Sequence, residues 1–329
     1  MQTFYRQLLE LMPKLGIQVT DLGPGTAVVS RRGRRVRTPL GPGADLLTRD
    51  DGRYAVTGAG KDTWVVARGK GLGRWKSVRL GDSGARLLFD ERAGKDERRL
   101  QLAAAEYLCT QHVAAMLDLY RVNCVFDVGA NAGQYAGRLR RLGYTGRIVS
   151  FEPTADAFER LCTAAADDPE WHVHHLGLGR EDTVSAIHTG WNTMNSLLPP
   201  SDYGRGRYQR FTRTRTEEIR IRRLDQVMDE ALDGIDEPRP FLKMDTQGYD
   251  LEVFAGAGER TGDFVGLQSE VAVLRLYEGS PRMSEAVAAY EDSGFETTGL
   301  YPVTREAATG RVVEFDCVMM RAKAAPESG

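Results

Sequence analysis

The chain has 329 residues, 41% of them hydrophobic and 27% charged. That is too apolar for a disordered polymer and long enough for one large domain with a smaller companion. The formal net charge of -2 conceals an asymmetry: the first hundred residues hold 20 of the 44 basic and 11 of the 46 acidic side chains, or +9, leaving -11 on the rest.

Residues 1–12 carry Arg6 and Glu10 inside an apolar pattern, so they read as a short amphipathic helix rather than a secretory leader. No stretch approaches the roughly 18 apolar residues of a membrane span, and a cytoplasmic protein without a membrane partner is expected. From about 18 to 95, Gly, Arg and short β-favouring runs such as Thr26-Ala27-Val28-Val29-Ser30 and Thr63-Trp64-Val65-Val66-Ala67 alternate with turn signals, predicting hairpins. We assign 1–95 to a β-rich accessory domain, 96–321 to a main domain and 322–329 to a flexible tail. The basic run Arg31 to Arg37 reads as a solvated hairpin face, with an anionic substrate or the acidic main domain as the competing reading. It contains no aromatic residue, which argues against nucleic acid as a partner. Cys109, Cys124, Cys162 and Cys317 lie far apart without C-x-x-C pairing and read as reduced core thiols.

From Asp96 to Tyr120 the composition turns to Ala, Leu, Glu and Gln at helical spacing. Strands and helices then alternate: strand 123–128, helix 133–142, strand 147–151, helix 155–166 and strand 171–175. This alternation predicts a parallel sheet covered on both faces. The strand 125–128 breaks into Gly129-Ala130-Asn131-Ala132-Gly133, and the next apolar strand ends on Phe151-Glu152-Pro153. A dinucleotide fingerprint needs G-x-G-x-x-G to cradle a pyrophosphate. Here Asn131 takes the middle position, which favours a nucleoside cofactor without phosphates, S-adenosylmethionine, and disfavours a nicotinamide-dependent oxidoreductase. Asp127, Gly129, Asn131, Gly133, Gln134 and Glu152 form the expected cofactor-binding set, with Glu152 meeting the ribose hydroxyls.

Within Trp171 to His175, strand alternation separates His172 and His174 from His175, so a metal trio is not expected there. A long excursion of 190–216 follows, whose length suggests a lid or binding element. Trp191, Asn192, Asn195 and Ser196 in it are the expected acceptor-binding residues. Strands at 241–245 and 264–270 each end in a carboxylate, a helix follows near 281–293, and 295–300 with 312–320 predict a terminal antiparallel hairpin.

Several ordered segments together resemble the FkbM family of S-adenosylmethionine-dependent methyltransferases: Phe126 to Tyr135, Phe151-Glu152-Pro153, Asn195 to Leu198, Arg223-Leu224-Asp225, Leu242 to Asp250 with Ala255-Gly256-Ala257, and Ser269-Glu270. The resemblance covers residues 123–321. It implies a class I methyltransferase (Rossmann-like) α/β fold, with a seven-stranded, mostly parallel sheet, its last strand antiparallel, and helices on both faces. It also implies O-methylation of a small molecule or glycan. Gln247 departs from the pattern, since the family commonly has Glu there.

A hydroxyl acceptor must lose a proton during attack, which calls for a general base. Asp245 is the first candidate, Glu270 the second, and His175, at the end of the third strand, a third. The competing structural role for Asp245 is a helix N-cap. No metal site is assigned, although Asp245 and Glu270 could hold Mg²⁺ if they converge. Carboxylate methylation is the nearest alternative chemistry, and a non-enzymatic glycan- or nucleic-acid-binding protein the alternative outside catalysis. The expected partner is a small-molecule or glycan acceptor, and a homodimer is one expectation for the assembly.

Overall fold

The computed structural model describes residues 16–23, 26–31, 54–60, 63–68, 75–79, 86–90 and 97–326. The expected helix at 1–12 and all of the basic run after Arg31 lie outside them. The chain divides into two compact units, Met1–Gln101 and Leu102–Gly329. In the first, β1 (Ile17–Gly23), β2 (Thr26–Arg31), β3 (Tyr54–Gly60) and β4 (Thr63–Arg68) form an antiparallel sheet in the order β1-β2-β4-β3, while β5 (Trp75–Arg79) pairs with β6 (Arg86–Asp90).

α1 (Glu97–Leu119) begins before the second unit, and within that unit it presents Ala105, Cys109, Val113 and Leu117 at four-residue spacing as one buried stripe. It is followed by β7 (Cys124–Val128), α2 (Gln134–Arg141), β8 (Arg147–Phe151), α3 (Ala155–Ala165) and β9 (Trp171–His174). After an excursion come α5 (Leu224–Leu232), β13 (Pro240–Met244), α6 (Asp250–Gly256), β14 (Gly266–Ala272), α7 (Met283–Asp292), β15 (Glu296–Arg305) and β16 (Val312–Met320). The sheet order is β15-β16-β14-β13-β7-β8-β9, with β16 antiparallel to both neighbours and the other six strands running in one direction. Counted from the β9 edge by chain order within this sheet, that is third, second, first, fourth, fifth, seventh, sixth: the class I methyltransferase arrangement expected from the sequence. The strand order reverses between β7 and β13, and ligands of such sheets bind at the carboxyl ends beside that point.

β7 and β13 are buried at every position because helices cover both faces of the sheet. Phe126, Leu242 and Leu267 point to the face covered by α5, α6 and α7, whereas Val125, Phe241 and Val318 point to the face covered by α1, α2 and α3.

The excursion expected at 190–216 lies within a second sheet that the sequence reading did not anticipate. Here β10 (Gly177–Gly179), β11 (Thr183–Thr189) and β12 (Arg215–Arg223) form a second sheet, with Ile187, Ile219 and Ile221 buried together. The excursion joins β11 to β12 and is itself ordered, with 3₁₀ turns at Asn192–Met194 and Gln209–Thr212 flanking α4 (Asp202–Arg207). Trp191 and Phe211 pack there with Leu276 and Tyr277 from the main sheet's side, so the excursion has a core of its own. The expected loose tail likewise begins as a 3₁₀ turn, Ala322–Ala324, whose last carbonyl accepts from Arg239. No described helix is long and apolar enough to cross a membrane.

One polar row crosses this otherwise apolar sheet. Ser150, Asp127, Lys243 and Gln268 are neighbours in register on β8, β7, β13 and β14. Lys243 Nζ lies 2.9 Å from Asp127 Oδ1, with side-chain exposures of 7% and 0%. Removing one member of such a pair strands a buried charge and typically costs about 3–5 kcal/mol. Lys243→Met should therefore lower the stability measured by urea unfolding by about that much, and Asp127→Leu/Lys243→Met should recover most of the loss. A double variant as unstable as the single one would exclude the charge pairing as the cause.

Candidate active site

A cleft of about 560 Å³ opens at the carboxyl ends of β7, β8, β13 and β14, within the roughly 300–1,000 Å³ typical of small-molecule sites. One wall is the glycine turn. Gly129 has φ +74°, and a Cβ there would lie 2.1 Å from the carbonyl oxygen of Asp245, so only glycine allows β13's end to close against the turn. The amides of Gly129 and Ala130 both donate to Phe151 O at 3.0 Å, which fixes the turn to the end of β8.

Asn131 adopts φ +49°, a left-handed conformation that Asn tolerates better than most residues. Its side-chain oxygen accepts from the Ala132 amide at 2.8 Å and from Gln134 Nε2 at 3.3 Å, and its own amide donates to Glu152 Oε2 at 2.8 Å. The second Glu152 oxygen accepts from the Thr154 amide (3.0 Å) and hydroxyl (2.5 Å). Burial pushes the Glu152 carboxyl upward and these donors oppose it, leaving it above the ordinary range. Gly129, Asn131, Gln134 and Glu152 all line the cleft.

Two members of the expected cofactor set do not reach it. Asp127 is fully buried against Lys243 and Ser150 Oγ, 3.2 Å from its Oδ2, and so helps hold the sheet beneath the turn. Gly133 starts α2 at φ +82°, where a Cβ would meet the Trp171 ring at 2.8 Å, so its role is packing.

The opposite wall is acidic. Asp245 lies beyond the end of β13, five residues before α6, whose N-cap is Tyr249, so Asp245 is not a helix cap. Gln247 Nε2 donates to Asp245 Oδ1 at 2.9 Å and to Glu270 Oε2 at 3.0 Å. Asp245 and Glu270 thus converge as the Mg²⁺ option required, but onto an amide. Among the described residues there is no group of three or more His, Cys, Asp or Glu able to hold a metal ion.

Burial first, then the charges of Glu314 and Asp245, push the Glu270 carboxyl well above its usual range. Glu314 is pushed up to about 8 by burial and then by Asp245. Asp316, opposite Glu270 in register, is raised to about 6, chiefly by burial. Burial alone would depress the Lys243 ammonium, but the charges of Asp127 and then Asp245 more than offset it and hold it above the lysine range.

The sequence reading missed several of these cleft residues. Lys243 lies beneath the Tyr135 ring, 5.3 Å from its centre, and donates to Gly129 O at 3.2 Å. Tyr135 donates to Gln268 at 3.0 Å, which in turn donates to Asp316 at 3.0 Å. Their signal was the polar residue inside an apolar strand: Lys243 two places before Asp245, Gln268 two before Glu270, and Asp316 on the next strand.

Residues 127–281 match the sequence model of the methyltransferase FkbM domain. This segment belongs to the FkbM methyltransferase family. A curated relative, methyltransferase sdnD of Sordaria araneosa, is 25% identical over 215 residues, covering 57% of this chain and 80% of the relative. Among solved structures, the magnesium protoporphyrin IX methyltransferase of Synechocystis PCC 6803, with bound SAM, is 10% identical at TM-score 0.38, over 69% of this chain and 85% of that one. Fibrillarin of Aeropyrum pernix, with natively bound S-adenosyl-L-methionine, is 11% identical at TM-score 0.37, over 92% and 97%. The fold assignment rests on the strand order rather than on these low scores.

The FkbM domain places the remaining expected residues unevenly. Asn192 and Asn195 line the cleft. Trp191 does not: it is 1% exposed and stacks between His188 and Phe211 in the excursion's core. Ser196, also 1% exposed, donates to the backbone carbonyl of Gln247 at 2.8 Å instead of facing the cleft. His175 stacks on Phe158, ring centres 4.5 Å apart, outside the cleft lining, which removes it from the candidate bases.

The raised carboxyls of the FkbM domain have a consequence for stability. A carboxyl whose folded pKa exceeds its unfolded value stabilises the fold when protonated, an effect lost as pH rises through the folded value. For Glu314 that window runs from the ordinary carboxylate range up to about 8. Unfolding at pH 6 and at pH 8.5 should show lower stability at the higher pH by roughly 2 kcal/mol, and Glu314→Gln should remove most of the difference. An unchanged slope in that variant would assign the effect elsewhere.

Proposed function

We propose that the FkbM domain transfers a methyl group from S-adenosylmethionine to a hydroxyl of a sugar, glycan or secondary metabolite. The observation that carries this reading is one cleft bounded on one side by the glycine turn with Glu152 and on the other by Asp245 and Glu270. The turn and Glu152 suit the nucleoside part of the cofactor: the strand-end carboxylate offers acceptors for ribose hydroxyls, and no phosphate cradle is present in G-x-N-x-G. When bound, the cofactor supplies a methyl group on a sulfonium, open to in-line displacement.

The chain's own residues then have three tasks. Asn192 and Asn195, on the excursion, offer amides to a polyhydroxyl acceptor at the cleft mouth. Orienting the attacking oxygen behind the methyl group can contribute on the order of 7–11 kcal/mol at best. Asp245 and Glu270 accept hydrogen bonds from the acceptor, and the hydroxyl proton passes to one of them as the oxygen attacks. Lys243 Nζ lies 3.8 Å from Asp245 Oδ2, which sets a positive charge beside that carboxylate. The ordered excursion core beside the cleft restricts water around the reacting atoms.

Calorimetric titration with S-adenosylhomocysteine should give binding that Glu152→Ala weakens by at least about tenfold, a cost typical of hydrogen bonds to a charged group. No binding by the unaltered protein would end the methyltransferase proposal. With an acceptor found by screening, Asp245→Asn should lower turnover by about 10²- to 10⁴-fold and leave homocysteine-adduct affinity unchanged. A carboxylic acid acceptor needs no base, so a nearly harmless Asp245→Asn would replace the hydroxyl with a carboxylate as the group methylated.

A further inference from the structure

Gln247 is held in a conformation that long side chains avoid, and every polar atom of its side chain and its carbonyl is engaged. Its φ is +55°, a left-handed value that is strained for an L-residue of this kind. Asn would tolerate it better and Gly would remove the cost. The carbonyl of Gln247 accepts from Ser196 Oγ at 2.8 Å, and Ser196 Oγ accepts in turn from the Leu198 amide at 3.0 Å. The side-chain oxygen accepts from the Tyr277 hydroxyl at 2.8 Å. That leaves Nε2 with its two hydrogens turned toward Asp245 and Glu270.

We propose that Gln247 is a positioning residue: its carboxamide, oriented by Tyr277 and anchored by Ser196, holds Asp245 and Glu270 side by side with their oxygens facing the substrate hydroxyl. The inference rests on the reading of Asp245 and Glu270 as the proton-accepting pair. Two carboxylates this close repel one another, and one of them ordinarily keeps a proton. A neutral group donating one hydrogen to each relieves that conflict without adding charge, and donation to the ionised form favours it. Asn at 247 would relieve the backbone but is one methylene too short to span both oxygens, which accounts for a long side chain at a costly φ. The single Tyr277 hydrogen is shared between Gln247 Oε1 and Met194 O, each 2.8 Å from the hydroxyl oxygen, so the clamp borders the excursion that carries Asn192 and Asn195.

The test is a pH titration by NMR of the full chain labelled with ¹³C at Asp and Glu carboxyls, the signals being assigned with Asp245→Asn and Glu270→Gln. In Gln247→Asn the Glu270 carboxyl should titrate at least about one unit higher than in the unaltered chain, a tenfold tighter proton. Tyr277→Phe, which keeps the ring in its aromatic cluster, should shift it in the same direction by less. Gln247→Glu adds a third acid and should shift it furthest, with turnover on an identified acceptor recovering as pH falls and residue 247 regains a proton to donate. A Glu270 midpoint within about 0.2 unit of the unaltered chain in folded Gln247→Asn and Tyr277→Phe would overturn the proposal, even if thermal unfolding showed both variants destabilised. Titration of the same samples with S-adenosylhomocysteine separates the two ideas: its absence in the unaltered chain refutes the methyltransferase reading, while the carboxyl titration still judges Gln247.

Discussion

The buried ion pair between Lys243 and Asp127 is the constraint on which the rest of the site depends. It lies at the strand-order reversal between β7 and β13, the one place in the sheet where both a cofactor turn and an acceptor wall must be supported. An ion pair withdrawn from water repays its desolvation only if further partners complete the shell. Here Asp127 also accepts from Ser150, which is held by the Trp171 indole at 2.9 Å, and Lys243 also donates to the Gly129 carbonyl beneath the Tyr135 ring. The cofactor turn is therefore fixed from below by charge and from the side by the Phe151 carbonyl. A site so built is preorganised, with little backbone left to order when a ligand arrives.

The second sheet and the excursion serve the opposite wall. The excursion joins β11 to β12, which brings Asn192 and Asn195 to the cleft lining and seats Trp191 against Phe211 in a core separate from the main one. Because that core includes Leu276 and Tyr277 from the segment after β14, the excursion is packed onto the sheet rather than tethered by its ends alone. Side-chain substitutions in it can reshape that side of the cleft without disturbing the glycine turn. Stability in the two walls thus comes from different clusters, charge-centred on the cofactor side and aromatic on the acceptor side.

What was legible in the sequence follows from how local each signal is. The alternation of apolar strands with helices, the glycine turn and the carboxylate at Glu152 are read within a few residues, and they located the sheet and one wall of the cleft. The second sheet was not legible: β10 has three residues, and β12, Arg215–Arg223, shows only Ile219 and Ile221 as buried apolar positions amid charge. Trp191 and Ser196 were assigned to the substrate because polar and aromatic residues in a long loop suggest contact with a ligand. Their actual partners, Phe211 and the Gln247 carbonyl, are brought by tertiary packing that no local pattern encodes. Asp127 was misplaced for a related reason. Its counter-charge is 116 residues away on the neighbouring strand, and only the register of β7 with β13 shows that the carboxylate is already occupied.

The charge balance of the acidic wall also explains why a neutral residue at position 247 matters. Lys243 neutralises Asp127 at 2.9 Å and reaches Asp245 only at 3.8 Å. Glu270, Glu314 and Asp316 have no ion-pair partner of their own among the described residues. Burial raises all three, and the charges of neighbouring carboxylates, Asp245 among them in each case, add to it. A further carboxyl at 247 would either ionise and raise its neighbours again or protonate and leave its own charge unexpressed. An amide does neither: it is neutral at every pH, donates to both flanking carboxylates, and leaves the distribution of protons to be set by Glu314 and Asp316 behind them. The amide thus holds the oxygens of Asp245 and Glu270 together while the acids behind them add to the crowding.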